Sequence, residues 1–211
     1  MTNITTILFD LDGTLLDTTE LIYQAMEHAL ANHKYEVPER GLIAKHIGKP
    51  IHDMYLALTN TSGHTESLVQ MHKEFQIKNV NLSVTFPGTV ETLKTLREKG
   101  YKLAIVTTRY RKTTDLALKE TGITEFFDAV VCGDEASAFK PDPAPLFKAL
   151  ELLNEKPENA IMIGDSHMDI LAGKSAGTKT VRVTYGFNQE LVHEPEPDYF
   201  IEDIKDLLKI L

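Results

Sequence analysis

Five short stretches of the chain are apolar at consecutive rather than alternate positions: residues 4–9, 102–107, 128–132, 160–163 and 180–183. They are rich in β-branched residues. A strand covered on both faces produces this pattern, because neither side-chain direction meets water. The intervals between the later stretches carry apolar residues at helical spacing. Val90, Leu93 and Leu96 fall on one helical face, and Gly100 follows as a stop. Leu116 and Leu118 sit in a stretch ended by Gly122, while Leu146, Ala149, Leu150 and Leu153 share a face. Strands and helices in alternation predict an α/β fold built on a doubly wound, Rossmann-like parallel sheet.

Residues 16–84 break that rhythm. They contain no strand pattern and predict helices over 19–31, 39–46, 51–58 and 66–78, punctuated by Pro38, Pro50 and the polar stretch 60–63. The natural account is an α-helical cap, residues 16–84, inserted into a core formed by residues 1–15 and 85–211. Residues 14–17 and 84–88 would be the two hinge strands, with Pro87-Gly88 restarting the core.

Composition narrows the partners. The 22 Lys and Arg against 31 Asp and Glu give a net charge of −9. Neither nucleic acid nor an anionic membrane would be drawn to such a surface. A small anionic substrate remains compatible, since one metal ion and one lysine can reverse the local sign. The single cysteine, Cys132, lies in an apolar run, which predicts a buried structural thiol and fits a reducing compartment. No stretch resembles a signal peptide or approaches the ~18 apolar residues of a membrane span. The expectation is a soluble cytoplasmic protein, monomer or homodimer.

The chemistry concentrates at strand ends. Asp10-Leu11-Asp12-Gly13-Thr14 follows the first strand directly, and unpaired carboxylates there would be costly. Ligands of open parallel sheets bind outside the carboxyl ends of the strands. Asp10 is placed to be a nucleophile towards phosphorus, and Asp12 to act as general acid and then base. Gly13 lets the backbone turn and Thr14 supports the loop. Thr107-Thr108-Arg109 ends the second strand, where hydroxyl and backbone N–H groups opening a helix would bind an anion; an ordinary helix cap is the bland alternative. Lys140 precedes Pro141-Asp142-Pro143, which stiffens its loop and starts the next helix. Its ammonium could balance the carboxylates and bind a phosphate oxygen; a solvent-exposed lysine is the bland alternative.

Gly164-Asp165-Ser166-His167-Met168-Asp169 follows the fourth strand, with a helix from about Met168. Asp165 and Asp169 could each be a helix cap or first-turn acid. Together with Asp10 and Asp12 they would leave four converging carboxylates, which calls for a hard cation such as Mg²⁺. Six of the eight histidines, among them His46, His64 and His72, fall in the helical segment without a metal-binding pattern, and surface or capping roles are expected of them. His167 is expected to shape its loop.

In this order the four segments resemble the motifs of the haloacid dehalogenase-like superfamily of phosphohydrolases. Asp10 to Thr14 matches the first motif, Thr107 the second, Lys140 the third, and Gly164-Asp165 through Asp169 the fourth. The likeness covers essentially the whole chain. Leu15 to Thr18, His46 to Pro50, Phe86 to Gly88, Thr107 to Arg109 and Ala172 to Gly177 resemble the phosphoglycolate phosphatase branch and its pyrophosphatase relatives. Arg109 departs from the lysine often found at its place.

The resemblance implies a two-step reaction. Asp10 attacks phosphorus and becomes an aspartyl phosphate while Asp12 protonates the leaving oxygen; Asp12 then deprotonates water. It implies Mg²⁺ held by Asp10, the backbone carbonyl of Asp12, and Asp165, with Asp169 in support. Thr107, Thr108 and Lys140 would hold the phosphoryl oxygens. Lys45 and Lys49 in the cap are candidates for reaching a small anionic phosphorylated metabolite. An acid at position 12 argues against a dehalogenase, whose halide leaving group needs no proton. Two other readings share this scaffold: a β-phosphoglucomutase-like phosphomutase, and a catalytically inactive regulatory or binding protein.

Overall fold

The structure is a computed structural model and describes residues 4–187 and 195–211. The first elements in chain order are β1 (Thr6–Phe9), β2 (Leu16–Asp17), α1 (Thr19–Asn32), α2 (Arg40–Ala44), α3 (Ile51–Thr59), α4 (Thr65–Lys78) and β3 (Val84–Thr85). There follow α5 (Thr89–Glu98), β4 (Lys102–Val106), α6 (Arg111–Glu120), β5 (Ala129–Val131) and α7 (Ala144–Leu153). The last are β6 (Ala160–Gly164), α8 (His167–Ala176), β7 (Lys179–Val183), β8 (Tyr199–Ile201) and α9 (Leu207–Ile210).

Six strands form one parallel sheet in the order β5-β4-β1-β6-β7-β8. Successive residues of β1 point to opposite faces, and both faces are covered. Ile7 and Phe9 pack with Leu93 and Leu96 of α5 and Leu118 of α6. Leu8 packs on the other side with Leu146 and Leu150 of α7 and Ala172 of α8. This double cover is why the strand sequences are apolar without alternation.

The sheet follows the expected α/β plan with small shifts. β1 starts at Thr6, Thr107 lies just past β4, and Asp128 and Cys132 flank β5. Cys132 is fully buried, and burial pushes its thiol up to about 11, which fits a structural role. The sixth strand, β8, was not expected. It has three residues, and only Ile201 is buried, with Tyr199 and Phe200 exposed at the sheet edge. So short an edge strand leaves no apolar run to detect.

Between β2 and β3 the chain forms α1 to α4. The two short strands pair antiparallel, Leu16 with Thr85 and Asp17 with Val84, so the chain leaves and re-enters the sheet region at one place. The inward faces of these helices build an apolar cluster of their own, including Met26, Leu30, Ile43, Tyr55, Leu68 and Val69. The second helix is shorter than its pattern suggested, ending at Ala44.

Candidate active site

β1 lies between β4 and β6, so successive connections leave it towards opposite sides of the sheet. That divergence opens a crevice at the strands' carboxyl ends. Asp10, Thr107 and Asp165 are the residues immediately following β1, β4 and β6, and the crevice gathers them. It continues into a small cavity of about 70 Å³ roofed by α1, α3, α4 and the loop after α2. Asp10, Asp12, Thr107, Thr108, Lys140 and Asp169 line its floor.

Lys140 is the electrostatic centre. Its Nζ donates to Asp10 Oδ1 at 2.6 Å, to Asp169 Oδ1 at 2.6 Å, and to the Val106 carbonyl at 2.9 Å. An ammonium has three protons, so all its donors are used. Its first task here is therefore to hold Asp10 and Asp169; a phosphoryl oxygen would have to displace one of these acceptors. The lysine is only 4% exposed. Burial disfavours its charge, but Asp10 and Asp169 outweigh that and raise its pKa above the usual lysine range.

Asp10 shows the opposite balance. Burial pushes its carboxyl well above the usual aspartate range, with Asp169 and Asp165 adding to the rise and Lys140 opposing it. One lysine does not neutralise this cluster. Asp10, Asp165 and Asp169 are all buried, and each can place one ligand oxygen within 4.8 Å of the others. A set of hard oxygen donors with excess negative charge fits a divalent cation.

Asp12 does not join that cluster with its side chain. Its Oδ1 accepts from the Thr18 hydroxyl at 2.8 Å and from Arg109 Nη1 at 2.9 Å. Both contacts fall on one oxygen, and Asp12 lines the cavity.

Asp169 is fixed from two directions. Its Oδ2 accepts from the Ser166 backbone N–H at 3.1 Å and hydroxyl at 2.6 Å, while the Ser166 hydroxyl in turn caps α8 by accepting from the Asp169 N–H. Ser166 is therefore the helix cap, rather than either aspartate, and His167 opens the helix. Gly164 is needed because a Cβ there would run into the Asp169 side chain. Gly13 has φ +85°, and a Cβ on it would lie 2.5 Å from Asp165 Oδ2.

Several other expectations need correction. α6 starts at Arg111 with Tyr110 as its cap, so Thr107 and Thr108 do not open a helix. The Thr107 hydroxyl instead accepts from the Arg109 N–H at 3.1 Å. Lys49 lines the cavity, its Nζ 3.1 Å from His46 Nδ1, whereas Lys45 is exposed and does not line it. His46 is half-buried, and burial together with Lys49 and Lys45 lowers its pKa. His72 is no surface histidine. It is 2% exposed, contacts the Tyr55 hydroxyl at 3.0 Å through Nδ1, and lines the cavity. Three further contributors escaped the sequence: Thr18, Arg109 in its contact with Asp12, and Lys73, whose ammonium lies 3.3 Å from the centre of the Tyr110 ring. The S-x-x-D spacing of Ser166 and Asp169 was a usable capping signal; the pairing of Asp12 with Thr18 and Arg109 had none.

Comparison with known proteins agrees with this geometry. The haloacid dehalogenase-like hydrolase family matches the chain over residues 7–183. A protein of Bacillus mycoides named pyrophosphatase PpaX is 40% identical over 210 residues, covering 99% of this chain and 97% of its own. Its counterpart in Bacillus cereus strain Q1 is also 40% identical, covering 99% and 96%. Among solved structures, a Haemophilus somnus protein described as a predicted phosphoglycolate phosphatase superposes with a TM-score of 0.91 at 28% identity, covering 100% of this chain and 99% of its own. A haloacid dehalogenase-like family hydrolase of Streptococcus pneumoniae gives a TM-score of 0.89 at 28% identity, with the same coverage. In sequence and in fold, this chain belongs to the haloacid dehalogenase-like hydrolase family.

Proposed function

We propose that the protein is a Mg²⁺-dependent phosphatase for a small phosphate ester of the phosphoglycolate type or for pyrophosphate, working through an aspartyl phosphate on Asp10. One observation carries the reading. Two carboxylates two residues apart face one cavity in different settings: Asp10 clamped by Lys140, and Asp12 held separately by Thr18 and Arg109. That division suits a nucleophile and a separate proton carrier.

Lys140 fixes Asp10 through Oδ1, so Oδ2 is the oxygen presented to phosphorus. As the Asp10 oxygen bonds to phosphorus, the bond to the leaving oxygen breaks, and Asp12 supplies its proton. Asp12 then takes a proton from water as that water attacks phosphorus, which releases phosphate and restores Asp10. Asp10, Asp165 and the Asp12 backbone carbonyl would hold Mg²⁺, with Asp169 in support. A cation there supplies positive charge for the transferring phosphoryl oxygens. Thr107 and Thr108 lie on the cavity floor where they can donate to those oxygens.

Residues 16–84 would act as a cap over the core of residues 1–15 and 85–211. From the cap, Lys49 would meet the substrate's negative charge. Lys49 and Lys73 line the cavity together with Arg109, and this concentration of positive charge favours an anionic substrate. The relatives named pyrophosphatase and phosphoglycolate phosphatase agree with a small, highly anionic substrate.

The test is phosphate release with Mg²⁺ across phosphoglycolate, pyrophosphate, hexose phosphates and nucleotides. Phosphoglycolate or pyrophosphate should lead in kcat/KM by about a hundredfold, or about 2.7 kcal/mol of transition-state preference. A hexose phosphate or nucleotide as best substrate would overturn the assignment.

A further inference from the structure

Arg109 carries more than its contact with Asp12 accounts for. The residue is 6% exposed and lines the cavity. Nη1 is used on Asp12, but Nε and Nη2 are buried without a hydrogen-bond partner among the described residues. A guanidinium has no form without its charge, so these donors stay polar at any working pH. Leaving buried donors without partners is costly, and more so for a charged group. Nε and Nη2 together form one edge of the planar group, the fork that pairs with two oxygens of a carboxylate or phosphate. Among the described residues no carboxylate accepts from that fork. Lys49 and Lys73 line the same space and add positive charge.

The position of the fork fixes what it can reach. Asp12 is where the leaving oxygen receives its proton, and Arg109 is bonded to Asp12. A group on the fork and Asp12 would therefore share one guanidinium, on different edges. Resting on the phosphatase reading above, we infer that Arg109 is the specificity residue of this site. Its Nε and Nη2 edge takes, in a bidentate pair, a second anionic group one or two atoms beyond the leaving oxygen.

A carboxymethyl ester of phosphate meets that requirement, and so does a phosphoanhydride. A hexose phosphate does not, because it has no second anion. An ester whose carboxylate lies several carbons away fails through distance. One ammonium could meet Asp12 or the substrate, whereas the guanidinium can meet both at once, through Nη1 and through the fork.

The experiment compares wild type, Arg109→Met and Arg109→Lys on two substrates with Mg²⁺ present. One is whichever of phosphoglycolate and pyrophosphate the wild type hydrolyses faster; the other is ethyl phosphate, which has no second anion. The readout is the ratio of the two kcat/KM values. Losing the Asp12 contact lowers both rates and burdens ethyl phosphate at least as much, since its leaving oxygen needs the proton more. Loss of the fork falls on the anionic substrate alone. The ratio should drop more than tenfold in both variants, with Arg109→Lys failing to restore it although it restores a positive charge. A ratio that stays within tenfold of wild type in Arg109→Lys, or in Arg109→Met where that variant folds by circular dichroism, overturns the assignment. Wild-type protein that hydrolyses neither anionic substrate overturns the phosphatase reading itself, so the two failures are distinct.

Discussion

Removing the Lys140 ammonium should unfold the protein's balance of charge before it touches any substrate. Lys140→Met keeps the length and apolar stem of the side chain but leaves Asp10 and Asp169 facing each other, both less than a tenth exposed. Breaking a buried ion pair by deleting one partner costs about 3–5 kcal/mol, because the remaining charge is stranded. For a chain of this size each kcal/mol lowers Tm by about 2–4 °C, so the expected fall is about 6–20 °C.

The deficit should depend on pH in a definite direction. Burial already raises Asp10, and losing the lysine removes the influence that opposed it. A carboxyl raised in the folded state binds a proton more readily there than in the unfolded chain, so it costs stability above its unfolded value and less as pH falls. The gap between variant and wild type, read by calorimetry at pH 8 and pH 5, should narrow at the lower pH. Mg²⁺ should recover more Tm in the variant than in wild type, since it replaces a missing cation. A shift of less than about 2 °C at pH 8 would refute the claim that Lys140 neutralises this cluster.

Three further outcomes follow from the same geometry. His72 is held near 3 by burial, with Arg109 and Lys73 adding to the effect, while unfolded histidine sits near ~6.5. Its contribution is complete above the unfolded value and is lost as pH falls, by about 2 kcal/mol at pH 5; urea unfolding of His72→Phe should show a correspondingly flatter pH dependence, and identical slopes would contradict the assignment. Gly13→Ala puts a Cβ 2.5 Å from Asp165 Oδ2 at φ +85° and should cut kcat/KM by about a hundredfold by displacing the loop; activity near wild type would show that the loop adapts. Lys49→Ala should lower kcat/KM about tenfold for the best substrate, the value of one charge-assisted contact, and unchanged kinetics would remove Lys49 from substrate binding.

The sequence and the structure part company in an orderly way. Covered strands write themselves as unbroken apolar runs, so β1, β4, β5, β6 and β7 were legible. β8 was not, because Tyr199 and Phe200 face outward and leave one buried residue. The carboxylate cluster was legible because strand-end aspartates are hard to explain otherwise, and the structure brings Asp10, Asp165 and Asp169 together. That Lys140 could balance the carboxylates was legible, and it does contact Asp10 and Asp169; that all its donors would be spent there, and what Arg109 does, was beyond reach from spacing alone. Lys140 spends its donors on Asp10, Asp169 and a carbonyl, and Arg109 reaches Asp12 from 97 positions away. His72 was expected at the surface or as a cap because it belongs to no metal-binding pattern. Its burial is set by Tyr55 from another helix, which no local pattern reports.

The central claim is that Asp10 is the group phosphorylated during turnover. Wild-type protein and Asp10→Asn, each mixed with the best substrate and Mg²⁺ and quenched in acid within the first turnovers, can be digested and weighed by mass spectrometry. The peptide containing Asp10 should gain the mass of one phosphoryl group in wild type and nothing in the variant, which should also release no phosphate. Phosphate release by Asp10→Asn at a rate near wild type, or a phosphoryl group on any other residue, would contradict the mechanism.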